Sequence, residues 1–269
     1  MKTTVMNIRN AETIILKKGA PSALLLFHGF SDEPGTLRPL AEYLFRYLDM
    51  DIHIPLLAGH GSTMEEFRNV SFRSWVRQAQ TAAEELIQQY GSVTVGGFSM
   101  GGLLALEAAA DFPQIRQTLL LAPPLVFPPG RTLLLTFLPL IRLFKKFKEK
   151  SLDERGGNRH ILDEEQRLRY RPRFQKEPLS AIRQYDLLRR RAKRKLGQVN
   201  SPVLAVFSLR DRVAVIKNRV YLTKKLGKIP LVVLTVTESG HMLPVDRERF
   251  LLFRAVRDFI KGGEDERLS

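Results

Sequence analysis

Gly97-Phe98-Ser99-Met100-Gly101 sets a serine at the centre of a Gly-x-Ser-x-Gly pattern. A serine hydroxyl is a weak nucleophile. It attacks a carbonyl carbon only when a base takes its proton and an acid orients that base. Two later segments offer such partners: Asp211 in Leu209-Arg210-Asp211-Arg212-Val213 and His241 in Glu238-Ser239-Gly240-His241-Met242. The order along the chain is Ser99, Asp211, His241. The acid and the histidine are 30 residues apart, room for one helix and one strand. The chemistry these types support is acyl transfer through a serine.

Such groups meet only if the right elements hold them. Val93-Thr94-Val95 leads into the serine motif, and the apolar, Ala-rich stretch Leu103 to Ala110 follows it. That is a strand, a sharp turn and a helix, with the serine on the corner. Gly97 and Gly101 then stand where side chains would crowd the turn. Asp211 follows a strand read over 202–208, and His241 follows one over 231–237. Both therefore sit at C-terminal strand ends, where open α/β sheets place their ligands.

The first 122 residues alternate strand and helix. Two short strands are read over 3–17, a buried strand at Ala23 to Phe27, a helix at 37–48, a strand at 51–55, a long helix at 71–90, and a strand at 115–122. Alternation of this kind gives an α/β fold with a mostly parallel sheet flanked by helices. Pro123-Pro124 and Pro128-Pro129-Gly130 interrupt it. Residues 125–197 read as helices without a convincing strand, at 133–150, 164–170 and 178–195, and form a helical lid insertion. The core is then 1–124 with 198–269, closed by helices at 213–226 and 246–260 and a frayed polar tail from Lys261.

Composition bounds the rest. A chain of 269 residues with 44% hydrophobic residues suits one α/β domain with a sizeable core. It contains no cysteine, which excludes disulfides and thiolate metal sites and suits a reducing cytoplasm. The N-terminal segment lacks an apolar signal core, and the longest apolar-rich run, Thr132 to Ile141, is about half of a membrane span. A soluble, cytoplasmic protein is expected. The net charge of +15 is concentrated between Arg131 and Lys195, where 20 Lys/Arg stand against 8 Asp/Glu. Within it, 131–150 mixes leucines and phenylalanines with Arg142, Lys145, Lys146, Lys148 and Lys150. This segment reads as a lid helix lining an acyl pocket, as an amphipathic helix on anionic lipid, or as a packed helix with a solvated basic face. The denser run 189–195 carries no interleaved aromatics of the kind nucleic-acid binding wants, so no nucleic-acid partner is expected.

Taken together, the chain resembles the α/β-hydrolases over roughly residues 20–260, and more closely the bacterial carboxylesterase and monoacylglycerol lipase group with a small helical lid. The motifs are His28-Gly29-Phe30 after one strand, Gly59-His60-Gly61 after the next, Gly97 to Gly101, Asp211 and Gly240-His241. Phe174-Gln175-Lys176-Glu177-Pro178-Leu179 resembles the lid end of that group. Two features depart from it: Val213-Ala214-Val215-Ile216 lacks the proline often found after the acid, and the insertion is unusually basic.

The resemblance implies hydrolysis of carboxylic esters, short- to medium-chain acyl esters or monoglycerides. Ser99 is the nucleophile, His241 the base and Asp211 its orienter, with an oxyanion hole from the backbone N–H groups of Phe30 and Met100. Neither a metal nor an organic cofactor is implied. Perhydrolase or carbon–carbon bond hydrolysis resembles the stretch around Met100 equally, and a membrane-surface protein using the basic lid is a reading of another class. His28 and Gly29 support the oxyanion loop; His28 is read as a brace rather than a base, and His60 as a turn residue with a structural hydrogen bond. His53 reads as a strand residue, His160 as solvated and Trp75 as core. Asp32 and Glu33 lie near the site but precede the serine. Asp246 is read first as a helix cap. The side chain of Phe30 is free to serve an acyl pocket, and the oligomeric state is open.

Overall fold

Alternate residues of the central strands enter two different cores. In β2 (Ser22–Phe27), Ala23, Leu25 and Phe27 face one hydrophobic cluster, and Leu24 and Leu26 face the other. In β8 (Val203–Ser208), Val203, Ala205 and Phe207 face the first, and Leu204 and Val206 the second. Strands buried on both faces need helices on both sides, which is why their sequences read as continuous apolar runs. The computed structural model describes residues 11–128, 130, 137, 141, 146–149 and 176–265.

The other strands of the main sheet are β1 (Ile14–Leu16), β3 (Asp51–Ile54), β4 (Ser92–Phe98), β5 (Ile115–Leu121) and β9 (Leu231–Val236). The order is β1-β3-β2-β4-β5-β8-β9. All neighbours are parallel except β1, which runs antiparallel to β3 with Ile14 opposite Ile54. β4 lies mid-sheet, with Val95 level with Leu25 on one side and Thr118 on the other. The mostly parallel sheet flanked by helices is the fold the alternation predicts.

On one face lie α1 (Arg38–Tyr47) and α7 (Arg249–Asp265); on the other lie α3 (Phe72–Gln89), α4 (Met100–Asp111), α5 (Leu179–Lys195) and α6 (Lys217–Leu226). The α1 stripe Leu37, Leu40, Ala41, Leu44 and Leu48 is buried throughout. By contrast, α4 is buried from Met100 to Ala109, because the sheet lies under it and α3 and α5 lie against it. A helix enclosed this way is apolar all round and Ala-rich, since small side chains let neighbours approach. Among the described residues no helix is long and apolar enough to cross a membrane.

A short helix, α2 (Met64–Asn69), lies between the loop of 56–63 and α3, opened by a capping box between Thr63 and Glu66. Three sequence expectations are corrected. The 125–197 segment does contain strands: β6 (Phe147–Glu149) and β7 (Lys176–Pro178) pair antiparallel, with Lys148 opposite Glu177, so no helix runs through 147–149. The helix expected from Val213 begins at Lys217, because the N–H groups of Val213 and Ala214 are turned to Asp211. The last helix starts at Arg249 rather than Asp246 and runs through Lys261 to Asp265, so the expected fraying does not begin at Lys261. The strand expected before Asn10, the helix at 164–170 and His160 lie outside the described residues.

Candidate active site

Ser99 occupies the corner between β4 and α4 with φ 54° and ψ −117°, backbone angles that an L-residue adopts only under strain. The packing of the glycines shows what holds it there. A Cβ at Gly97 would stand 2.1 Å from the carbonyl carbon of Gly101, and one at Gly101 would stand 1.9 Å from the carbonyl oxygen of Phe27. Strand and helix thus approach at backbone contact, and the turn has no room to relax. The N–H of Ser99 donates to Leu121 O at 2.8 Å, tying the corner to β5.

The three residues singled out by type and order meet here. His241 Nε2 lies 3.0 Å from Ser99 Oγ, and His241 Nδ1 lies 2.7 Å from Asp211 Oδ2. The other carboxylate oxygen, Oδ1, accepts the N–H groups of Val213 at 2.7 Å and Ala214 at 2.8 Å. The Asp211 side chain is fully buried, whereas that of His241 is 17% exposed. Its ring also packs on Phe98, centroids 5.1 Å apart. An acid oriented by two amides, a histidine held by that acid and a hydroxyl within reach form a proton-relay geometry.

The loop after β2 faces this corner. His28 accepts the N–H of Leu57 at Nε2 (3.1 Å), and its Nδ1 lies 3.0 Å from Gly29 O. His60 repeats the arrangement, accepting the N–H of Ser31 at Nε2 (3.2 Å), with Nδ1 3.2 Å from Ala58 O. Each ring is therefore neutral with its proton on Nδ1. Burial holds His28 well below the ordinary histidine value and brings His60 down to about 4. The two rings meet edge-on at 4.9 Å and link residues 28–31 to 57–60. Met100 opens α4, where helical N–H groups have no carbonyl within the helix to meet.

Other expectations are refined. The Phe30 ring is stacked on Tyr185 of α5 (5.0 Å, 9°) and packs against Phe67 and Trp75, so it ties α5 to the loop that carries it. Trp75 is fully buried, and its indole donates to Ala58 O at 2.9 Å. The Asp32 carboxyl accepts the Thr36 hydroxyl at 2.6 Å, while Oδ2 is buried with no hydrogen-bond partner. Burial raises its pKa to about 6 against the opposing pull of Thr36 and the N–H groups of Glu33 and Gly29. Asp246, read as a cap, accepts the N–H of Gly240 at 2.7 Å and so reaches the histidine loop. Glu248 is not singled out by the sequence, which carries no local signal for its contact with residues 237–239. Among the described residues no three His, Asp or Glu side chains gather as metal ligands.

The basic run at the end of α5 is largely engaged with the protein itself. Arg189 and Arg190 pair with Asp186 at 2.6 and 2.7 Å, and Arg191 pairs with the fully buried Glu107 of α4 at 2.8 Å. Lys195 reaches Glu107 at 3.2 Å and also pairs with Asp111. Arg189 also donates to Leu125 O at 2.9 Å. These charges fasten α5 over the helix that begins beside Ser99.

Residues 24–251 match the model of the alpha/beta hydrolase family, and the chain belongs to that family. Over 251 residues it is 26% identical to a carboxylesterase of Bacillus subtilis (strain 168), covering 91% of this chain and 94% of that protein. A shorter match, 34% identical over 108 residues (40% of this chain, 42% of the relative), is to a thermostable monoacylglycerol lipase of Bacillus sp. (strain H-257). One solved structure, reported for the metagenome-derived lipolytic enzymes LipS and LipT, superposes with a TM-score of 0.82 over 94% of this chain and 98% of that one. At 22% identity that likeness is one of fold.

Proposed function

We propose that this protein is a serine esterase that cleaves short- to medium-chain acyl esters or monoglycerides through an acyl-enzyme. The observation that carries the reading is the continuous series Ser99 Oγ, His241 Nε2, His241 Nδ1, Asp211 Oδ2 at 3.0 and 2.7 Å. The similarity to a carboxylesterase along nearly the whole chain supports it.

In this reading Ser99 Oγ attacks the ester carbonyl carbon while His241 Nε2 takes the hydroxyl proton. Asp211 holds the ring and stabilises the imidazolium. The N–H groups of Phe30 and Met100 receive the negative oxygen of the tetrahedral intermediate. Collapse expels the alcohol, which leaves with the proton from His241. Water, deprotonated by the same nitrogen, then attacks the acyl-enzyme and releases the carboxylic acid and Ser99. The segment 125–197 acts as the lid that shapes the acyl pocket.

The test is hydrolysis of p-nitrophenyl esters of rising acyl length by the purified protein. Activity is expected to peak at short to medium chains, and Ser99→Ala to lower kcat by about 10⁴-fold or more. A fluorophosphonate is expected to modify Ser99 alone, read by mass spectrometry of the peptides. Undiminished turnover in Ser99→Ala would refute the assignment.

A further inference from the structure

His241 sits on a turn that the sheet does not hold. β9 ends at Val236, and four consecutive N–H groups follow outside any helix or strand. Two carboxylates from the segment just before α7 take all four. Glu248 Oε1 accepts from Thr237 at 3.1 Å, and Oε2 accepts from Glu238 and Ser239, each at 2.8 Å. Oε2 also accepts the Ser239 hydroxyl at 2.9 Å, and the N–H of Glu248 donates back to that hydroxyl oxygen at 3.0 Å. Asp246 Oδ2 accepts from Gly240 at 2.7 Å, while its Oδ1 is fixed by the N–H of Arg247 at 2.7 Å. The turn is also linked to the one carrying Asp211: the Ser208 hydroxyl donates to Ser239 O, and the N–H of Arg210 donates to Ser208 Oγ at 3.0 Å.

Satisfying these donors does not require carboxylates. Thr237 and Glu238 are exposed, and water would serve their N–H groups. Water cannot fix the path of the backbone. A carboxylate shared among successive amides does, and charge-assisted bonds of this kind are about twice as strong as neutral ones. Burial pushes the Glu248 carboxyl up, yet the N–H groups of Thr237, Glu238 and Ser239 outweigh it and draw its pKa below the usual range.

We propose that Glu248 and Asp246 are positioning residues for His241. By accepting the N–H groups of residues 237–240 they hold the imidazole within reach of Ser99 and Asp211 together. This rests on the esterase reading above. Glu248→Gln keeps the size of the side chain but turns one acceptor into a donor facing other donors. Asp246→Asn does the same beside Gly240.

Steady-state kinetics on p-nitrophenyl butyrate and a crystal structure of each variant test the proposal. Glu248→Gln is expected to lower kcat about 10- to 100-fold with KM changed less than about twofold. In its structure, His241 is expected to move by about 0.5 Å or more relative to Ser99 Oγ or Asp211 Oδ2. An unchanged kcat overturns the proposal, as does a lower kcat with both His241 distances preserved. Should Glu248→Gln not accumulate as folded protein, Asp246→Asn carries the same two measurements with a single N–H at stake. Full activity in Ser99→Ala would instead refute the underlying esterase reading, so the two failures are distinct.

Discussion

At the scale of single residues, backbone contact and buried charge set the tolerances. Gly101→Ala would place a methyl 1.9 Å from Phe27 O, with only backbone to give way. The expected loss is about 3 kcal/mol or more, measured by urea unfolding. Asp32 carries a different liability. Part of the residue meets solvent, but Oδ2 is buried and unpartnered, and burial raises the pKa from 3.8 to about 6. The folded state therefore binds more protons than the unfolded state between those values, and the associated stability is lost as pH rises through about 6. Asp32→Asn retains an acceptor for Thr36 and removes the charge. It is expected to raise stability at pH 7.5 by on the order of 1–2 kcal/mol, a gain that fades towards pH 4. Thermal melts at the two pH values check this.

At the scale of elements, α5 is held to α4 by a carboxylate with no access to water. Glu107 is fully buried, whereas the Arg191 side chain is 36% exposed. Removing the cations and removing the anion should therefore differ. Replacing both Arg191 and Lys195 with alanine strands a buried charge and is expected to cost about 3–5 kcal/mol, whereas Glu107→Met, which lets both cations turn to water, should cost clearly less. Equal losses in chemical unfolding would contradict this account. The same helix shows what a sequence conceals. The partners of Arg191 and Lys195 in its basic run do not show in the local sequence, because the acids that neutralise them, Glu107 and Asp111, lie on another helix. The pairing of β6 with β7 is likewise non-local, between two charged tripeptides with no strand periodicity. α2 was readable in principle, since Thr63 and Glu66 spell a capping box, but six residues offer little periodicity. The long elements were readable for the opposite reason: their burial follows their own spacing. The corner at Ser99 is readable too, because Gly97 and Gly101 record a contact made within a few residues. Glu248 was not, because its role appears only when α7 is seen against the end of β9.

At the scale of the whole molecule, two histidines tie loops from neighbouring strands together while neutral. The unfolded chain protonates them near pH 6.5, whereas folded His60 does so at about 4 and His28 well below its ordinary value. The unfolded state thus binds more protons across that window, and stability present above pH 6.5 is lost as pH falls towards 4. His60→Gln is expected to weaken the protein at pH 7 and to flatten this acid limb by on the order of 1–3 kcal/mol. Melting temperatures across pH 4–8 read both effects. A variant curve parallel to that of the wild type would show that His60 is not the group responsible.

The angles at Ser99, φ 54° and ψ −117°, suit glycine better than any residue with a side chain, and such conformations cost about 1–3 kcal/mol. Ser99→Gly is therefore expected to melt above Ser99→Ala, although neither retains the hydroxyl. Durability and reactivity make opposite demands at this one position. On the proposed reading, a search for heat-resistant variants that ignored turnover would be drawn to the very residue whose loss leaves the protein inert.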